Sequence, residues 1–132
     1  MKKSSNQNLN ILPEWYWERG LHDACIVGVE TFEFPYDYNK YDGKKVLDKN
    51  LFLLHISAKG AMFDSDVKQI RLFNYKIISE NNLTIKERAW WLSDRLIQEN
   101  GFYFLEIDIE DFDSIPQNYT FKIKFERAEV DR

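Results

Sequence analysis

The chain has 132 residues, of which 44% are hydrophobic and 30% are charged, and its formal net charge is −4. These proportions are typical of one folded domain and exclude a disordered chain. The acidic balance argues against nucleic acid as a partner, because phosphate binding depends on clustered lysine and arginine. Cys25 is the only cysteine and no apolar run approaches the ~20 residues that span a bilayer, so we expect a cytoplasmic protein with no membrane contact.

The N-terminal part of the chain predicts one short helix and one strand. Residues 1–10 are polar and predict a flexible N-terminal segment, which leaves 11–132 as a single domain. A short N-terminal helix is predicted over 13–19, since a proline opens it and Gly20 follows it. The range 23–34 is rich in β-branched residues, and its apolar alternation changes phase, which predicts a strand with a bulge or bend.

Alternating apolar residues predict further strands. These strands cover 51–58, 67–79, 102–109 and 119–130. The last two predict a hairpin folded about Ile115, with apolar pairs facing the core and opposite charges facing solvent. The predicted pairs are Ile109 with Phe121, Ile107 with Ile123, Asp108 with Lys122, and Glu106 with Lys124.

One principal helix is predicted over about 85–99. Thr84 and Glu87 have the spacing of a capping box, and Asn100 with Gly101 is typical of a left-handed helix exit. The apolar residues of this range recur at helical spacing, as on a helix face that packs on a sheet. The sequence therefore predicts an α+β fold, with a mainly antiparallel sheet of about five strands and this helix on one face.

Residues with catalytic chemistry are few. His22 and Asp23 form a dipeptide found in metal phosphohydrolases, but the only other histidine is His55. A structural role is the simpler interpretation of His22 and Asp23. Cys25 has no base within reach, and no nucleophile elbow or phosphate loop occurs. We predict no catalytic residue, metal or cofactor; a site of two histidines and one carboxylate remains an alternative.

Acidic residues are concentrated between Arg95 and Lys122, a stretch that has no basic residue. Glu110, Asp111 and Asp113 fall at the far end of the predicted hairpin, without lysine partners. A solvated surface, a docking patch for a basic protein and a calcium site all fit this pattern. The calcium interpretation is weakened because the stretch lacks the glycine and the terminal glutamate of a known loop.

Aromatic residues outside the predicted core are the other binding candidates. Tyr36, Tyr38 and Tyr41 alternate with small polar residues in a long loop, which is typical of recognition loops, although the rings could also cover the sheet edge. Trp91 is predicted to project from the helix, away from its core-facing stripe, where Arg88 and Arg95 could cover it through cation–π contact or a partner could contact it.

Several short patches of the chain form a recognisable order, namely Trp17, residues 21–24 (Leu-His-Asp-Ala), Ile26, and Trp91 with Leu92. This order resembles small proteins of Gram-positive bacteria, some of them predicted immunity proteins of polymorphic toxin systems. In those proteins a Leu-His-Asp element introduces the first strand of a β-rich domain, so His22 and Asp23 are the family-like element here. The resemblance implies a bacterial, toxin-neutralising binding role.

The function expected from the sequence is therefore a non-enzymatic, cytoplasmic protein-binding domain with a protein partner, a basic one being favoured. A small-ligand binding module and a metal-dependent enzyme centred on His22, Asp23 and His55 are the alternatives.

Overall fold

A computed structural model describes residues 13, 15–17, 21–33, 50–57, 66–85, 88–111 and 118–132. These residues form eight strands and one short 3-10 helix, Glu80–Asn82, and contain no α-helix. The strands are β1 (Ala24–Phe32), β2 (Leu51–Ser57), β3 (Gln69–Phe73), β4 (Lys76–Ile77), β5 (Ala89–Glu99), β6 (Phe102–Glu110), β7 (Asn118–Phe125) and β8 (Arg127–Asp131).

All the strands belong to one antiparallel sheet in the order β4-β7-β6-β5-β1-β2-β3-β8. The strands at the two ends of this order are continuations of other members. β4 follows β3 after a bend at Asn74 and Tyr75, and β8 follows β7 after a bend at Glu126. β3 pairs with β8 and β4 pairs with β7 in one continuous register. The sheet therefore closes on itself as a ring of six strands, two of which are bent.

The core lies inside this ring, where each strand contributes its inward-facing side chains. The largest fully buried side chains include Trp91, Phe52, Phe121 and Phe125. The rings of Phe52 and Phe121 stack with their centroids 5.6 Å apart. A second, smaller buried cluster lies on the outer side of β1, β2 and β3. It consists of Phe32, Leu51, Leu53 and Phe73.

An aromatic segment before β1 covers one end of the ring. Trp15 packs edge-on against Tyr103, with 5.3 Å between ring centroids, and Trp17 packs edge-on against Trp91 at the same separation. The carboxylate of Asp94 faces inward here. It accepts hydrogen bonds from the Tyr16 hydroxyl and from Trp91 Nε1, the latter at 2.7 Å. The cap is therefore held by ring packing around one hydrogen-bonded carboxylate.

The prediction of an α+β fold is wrong, because the described residues are all-β with no helix on either face of the sheet. Most of the range predicted as the principal helix, 85–99, is β5 instead. Of the predicted N-terminal helix, the described residues Pro13 and 15–17 form a turn closed by a hydrogen bond from Tyr16 N–H to the Pro13 carbonyl at 2.9 Å. The predicted flexible segment 1–10 lies outside the described residues.

A β-bulge explains why β5 has the spacing of a helix. The β5–β6 register shifts between Trp91 and Ser93, so Leu92 is an extra residue. Ala89 and Leu96 therefore both pack towards the core although they are seven residues apart, a separation that simple alternation assigns to opposite faces. Because the bulge adds one residue to the strand, the spacing of its apolar positions resembles that of a helical stripe.

The Asn100-Gly101 pair forms a hairpin turn rather than a helix exit. Both residues have positive φ, 55° and 82°, and they connect Glu99 of β5 directly to Phe102 of β6. Two consecutive residues of positive φ suit the twist of a two-residue β-hairpin, which is why Asn-Gly is common there. The same dipeptide is compatible with both structures, and strand pairing decides between them.

The other predicted strands are largely confirmed. β1, β2 and β6 occupy approximately the ranges expected for them, and β1 has a bulge, but between Ile26 and Gly28 rather than after Val29, where the change of phase placed it. The two remaining predicted strands are each divided in two, at Asn74 and at Glu126. Their division is the bend that lets the sheet close.

The predicted register of the β6–β7 hairpin is wrong by two residues. The observed pairs are Ile107 with Phe121, Leu105 with Ile123, Glu106 with Lys122, and Asp108 with Thr120. Every side chain keeps its predicted face, since side chains alternate with a period of two. Only the identity of the cross-strand partners changes.

Truncation to alanine should destabilise the protein more at an inward-facing position than at an outward-facing one. Leu105 is fully buried and Ile78 is 40% exposed. We expect Leu105→Ala to lower the free energy of unfolding by about 2–5 kcal/mol, whereas Ile78→Ala should change it by less than about 0.5 kcal/mol. Urea unfolding followed by tryptophan fluorescence measures both. Equal losses in the two variants would contradict the assigned faces.

Candidate functional site

The exposed apolar side chains lie on one half of the ring. Among the described residues, the large hydrophobic side chains with high exposure are Val27 (48%), Ile78 (40%), Trp90 (36%) and Ile97 (55%). Trp90 and Ile97 belong to β5, Val27 is at the bulge of β1, and Ile78 follows β4. These positions all fall on one side of the ring, which consists of β1, β5, β6, β7 and β4. We call the outward side of β5, β6 and β7 the outer face.

Cross-strand neighbours divide the outer face into rows. Strand pairing brings together Trp90 with Glu110, Ser93 with Asp108 and Thr120, Arg95 with Glu106 and Lys122, and Ile97 with Phe104 and Lys124. The middle two rows are polar, and the two outer rows contain exposed or half-buried apolar side chains. The face thus has a charged centre between two apolar ends.

The charged centre is a hydrogen-bond network around Arg95 and Asp108. Arg95 donates to Glu106 at 3.0 Å and, through both terminal nitrogens, to the two oxygens of Asp108 at 3.0 Å each. Asp108 also accepts from the hydroxyls of Ser93 (2.5 Å) and Thr120 (2.9 Å). These bonds, that from Arg95 first, hold the pKa of Asp108 well below its usual range despite partial burial. The bond to Asp108 and then that to Glu106 raise the pKa of Arg95.

One end of the outer face contains Trp90. Trp90 pairs across the strands with Glu110 on one side and with Cys25 on the other, and Val27 lies just beyond Cys25 in β1. Glu110 has no ion pair within the described residues. We call Val27, Trp90 and Glu110 the Trp90 patch. It combines two exposed apolar groups with a carboxylate.

The other end contains Ile97, Phe102 and Phe104. The ammonium group of Lys124 lies 4.4 Å from the centroid of the Phe102 ring and 5.9 Å from that of Phe104. Both rings are half-buried, whereas Ile97 is the most exposed of the large hydrophobic residues in the described part of the chain. The Lys124 side chain therefore covers the aromatic rings, whereas Ile97 stays exposed.

The structure places the predicted binding residues differently from the prediction. Glu110 is half-buried on the outer face, but Asp111 is only 1% exposed and does not lie at a protruding surface. Trp91 is fully buried, so its predicted projection from the core is wrong, and its neighbour Trp90 has the exposed ring instead. The other predicted residues, Asp113, Tyr36, Tyr38 and Tyr41, lie outside the described residues.

The concentration of negative charge expected at the far end of the hairpin stays a prediction, because 112–117 lie outside the described residues, but three other acidic residues of the stretch lie elsewhere. Glu106 and Asp108 lie in the middle of β6, where Arg95 of β5 neutralises them. Glu99 lies at the opposite end, next to the β5–β6 turn. The sequence alone did not indicate that β5 pairs with β6, and this pairing brings Arg95 beside the carboxylates of Glu106 and Asp108.

The two histidines make separate local contacts. The Nδ1 of His22 donates to the Leu92 carbonyl, and Asp23, with φ of 71°, donates its backbone N–H to the Trp91 carbonyl at 2.8 Å. His55 bonds Glu30 on the neighbouring strand at 2.9 Å. Within the described residues, no group of three or more histidine, cysteine or acidic side chains could hold a metal ion. His22 and Asp23 therefore fasten the start of β1 to the bulge of β5.

Comparison with known proteins gives no relative: no family model, curated protein or solved structure matches this chain. The part of the chain that the structure describes contains no helix long and apolar enough to cross a membrane. The chemistry of the outer face is therefore the basis for a functional assignment.

Removal of the Asp108 charge should make stability less dependent on pH. Because its pKa is lowered by folding, ionised Asp108 stabilises the folded state above the unfolded pKa of about 3.9, and this contribution is lost as the pH falls through the folded value. We expect Asp108→Asn to lower the free energy of unfolding at neutral pH, and the difference from wild type to shrink between about pH 5 and pH 2. Urea unfolding across that range measures it.

The control for this experiment is Ile78→Ala, which removes no titratable group and should differ from wild type by the same amount at each pH. A difference for Asp108→Asn that stays constant down to low pH would contradict the proposed network.

Proposed function

We propose that this chain is a non-enzymatic, cytoplasmic protein-binding domain whose contact site is the Trp90 patch. The observation that carries this proposal is the exposed indole of Trp90 directly opposite the Glu110 carboxylate, with Val27 nearby. Tryptophan is enriched among the residues that contribute most to protein interfaces, particularly where apolar neighbours exclude water around it. An apolar group beside an acidic one suits a protein surface that has both apolar and basic groups.

The packing of the interior supports binding at the surface. The inside of the ring is filled by large side chains, including the fully buried Trp91, Phe52, Phe121 and Phe125. Small closed sheets filled by side chains hold no internal ligand, whereas wider ones enclose a cavity. This packing favours contact through outward-facing side chains over a small ligand held at the centre of the ring.

A basic protein is the partner that the patch fits best. A guanidinium or ammonium group placed between Trp90 and Glu110 would contact the indole face and form an ion pair with the carboxylate at the same time. The net charge of −4 would also attract a basic partner over longer distances. Together with the resemblance to immunity proteins of polymorphic toxin systems, this leads us to propose a toxin with a basic surface as the partner, neutralised by being covered.

Substitutions in the Trp90 patch should affect binding kinetics in different ways. The partner to test is the product of the neighbouring gene, measured by surface plasmon resonance at several salt concentrations. Trp90→Ala should raise the Kd by about 30-fold or more, mainly through faster dissociation, because it removes buried apolar contact. Glu110→Gln should slow association and flatten its salt dependence, because it removes a charge that steers the encounter.

The matched control is Ile78→Ala, an exposed apolar truncation just after β4, which should leave both rate constants unchanged. Wild-type protein should also restore growth of cells that express the partner. Binding with unchanged kinetics in both patch variants would place the contact elsewhere. Failure of the wild-type protein to bind or to protect would reject the toxin-neutralising role.

A further inference from the structure

Within the part of the chain that the structure describes, one edge of β5 has no strand partner over most of its length, and we call this stretch the open edge. β5 has eleven residues and pairs with β6 from Trp90 to Glu99, whereas β1 pairs with only three of its residues, Ala89 to Trp91. From Ser93 to Glu99 the second edge of β5 has no strand partner within the described residues. This edge overhangs the start of β1 at Ala24.

Two hydrogen bonds mark the point where pairing stops. The Trp91 carbonyl accepts from the Asp23 N–H, and the Leu92 carbonyl accepts from the His22 ring. Both acceptors lie at the β5 bulge, which increases the local twist and separates the following residues from β1. The chain preceding β1 turns at 21–23, so it does not continue as a strand beside β5.

The open edge lacks two features that commonly protect edge strands against pairing with another strand, proline and lysine. Natural edge strands are shortened, or contain proline or an outward lysine, since unpaired backbone groups are a template for further strands. The stretch from Arg95 to Glu99 has no proline and no lysine. All its side chains except that of Leu96 are exposed, and Ile97 is 55% exposed.

We propose that a second copy of this chain pairs with this edge, antiparallel, about a two-fold axis at Ile97. In this register Ile97 faces Ile97 of the second copy, Arg95 faces Glu99, and Leu96 faces Gln98. The pairing joins two exposed isoleucines and sets two ion pairs around them, with no like charges directly opposite. A two-fold contact of this kind closes at two copies.

The groups required for these ion pairs are available. Glu99 has no ion pair within the described residues. Arg95 uses three N–H donors for Glu106 and Asp108, and a guanidinium has five, so two remain for Glu99 of the second copy. A register centred on Arg95 would bring two guanidinium groups together, which disfavours it. Charge complementarity therefore selects the register at Ile97.

Charge substitutions at Ile97 test this pairing without another protein. Because residue 97 faces itself, Ile97→Lys and Ile97→Glu each place like charges opposite one another and should weaken dimerisation by about 100-fold or more. An equimolar mixture of the two variants brings opposite charges together and should restore the dimer. Sedimentation velocity measures the assembly, and the wild type should sediment as two chains of 15.9 kDa each.

Two controls keep the result interpretable. Ile78→Lys introduces the same charge at another exposed isoleucine and should leave the dimer intact, and circular dichroism should show that every variant is folded. A monomeric wild type at concentrations of about 100 μM or above, a dimer that persists in Ile97→Lys, or a mixture that stays monomeric would each overturn the proposal. A monomeric wild type that binds a foreign protein through this edge would assign the edge to that protein instead.

Discussion

The fold depends on the pairing of two bent strands, β3/β4 with β7/β8. This pairing continues in one register across the bends, where the Glu126 N–H donates to the Phe73 carbonyl at 2.9 Å. Without it the sheet would have two open edges and its core-facing side would be exposed. With it, the apolar side chains of every strand meet inside one ring, and interactions with other molecules are left to the outer side and to strand stretches that have no partner within the described residues, such as Ser93 to Glu99 of β5.

The bulge at Leu92 divides β5 into two parts that have different proposed roles. Before the bulge, Trp90 is paired on both sides and lies on the outer face. After it, the strand separates from β1, and Arg95 and Ile97 lie beside an open edge. The proposed partner site and the proposed dimer contact are therefore on one strand but use different surfaces. The partner site at Trp90 uses side-chain contact, whereas the dimer contact at Ile97 uses backbone pairing. A change at either end need not disturb the other.

The bulge also explains how much could be predicted from the sequence. Strands with regular alternation, such as β2 and β6, were predictable because one period of two applies along their length. β5 was not, because one extra residue gives it helical spacing and exchanges the roles of Trp90 and Trp91. The charge at Asp108 was seen, but its partner Arg95 was not, since that contact exists only between neighbouring strands. Ring closure depends on residues such as Phe73 and Arg127, which lie far apart in sequence, and no local pattern indicates it.

Arg95 connects the two proposed functions of the outer face through rigidity. Its bonds to Glu106 and Asp108 fix the spacing of β5 and β6 between the Trp90 patch and Ile97. A surface whose side chains are already ordered loses less conformational entropy when it binds, so a fixed centre favours contacts at both ends. The network is only partly buried and its direct contribution to stability is modest, as for most surface ion pairs. Its larger effect would be on binding, since it holds the exposed groups at either end in the geometry that a partner or a second copy would meet.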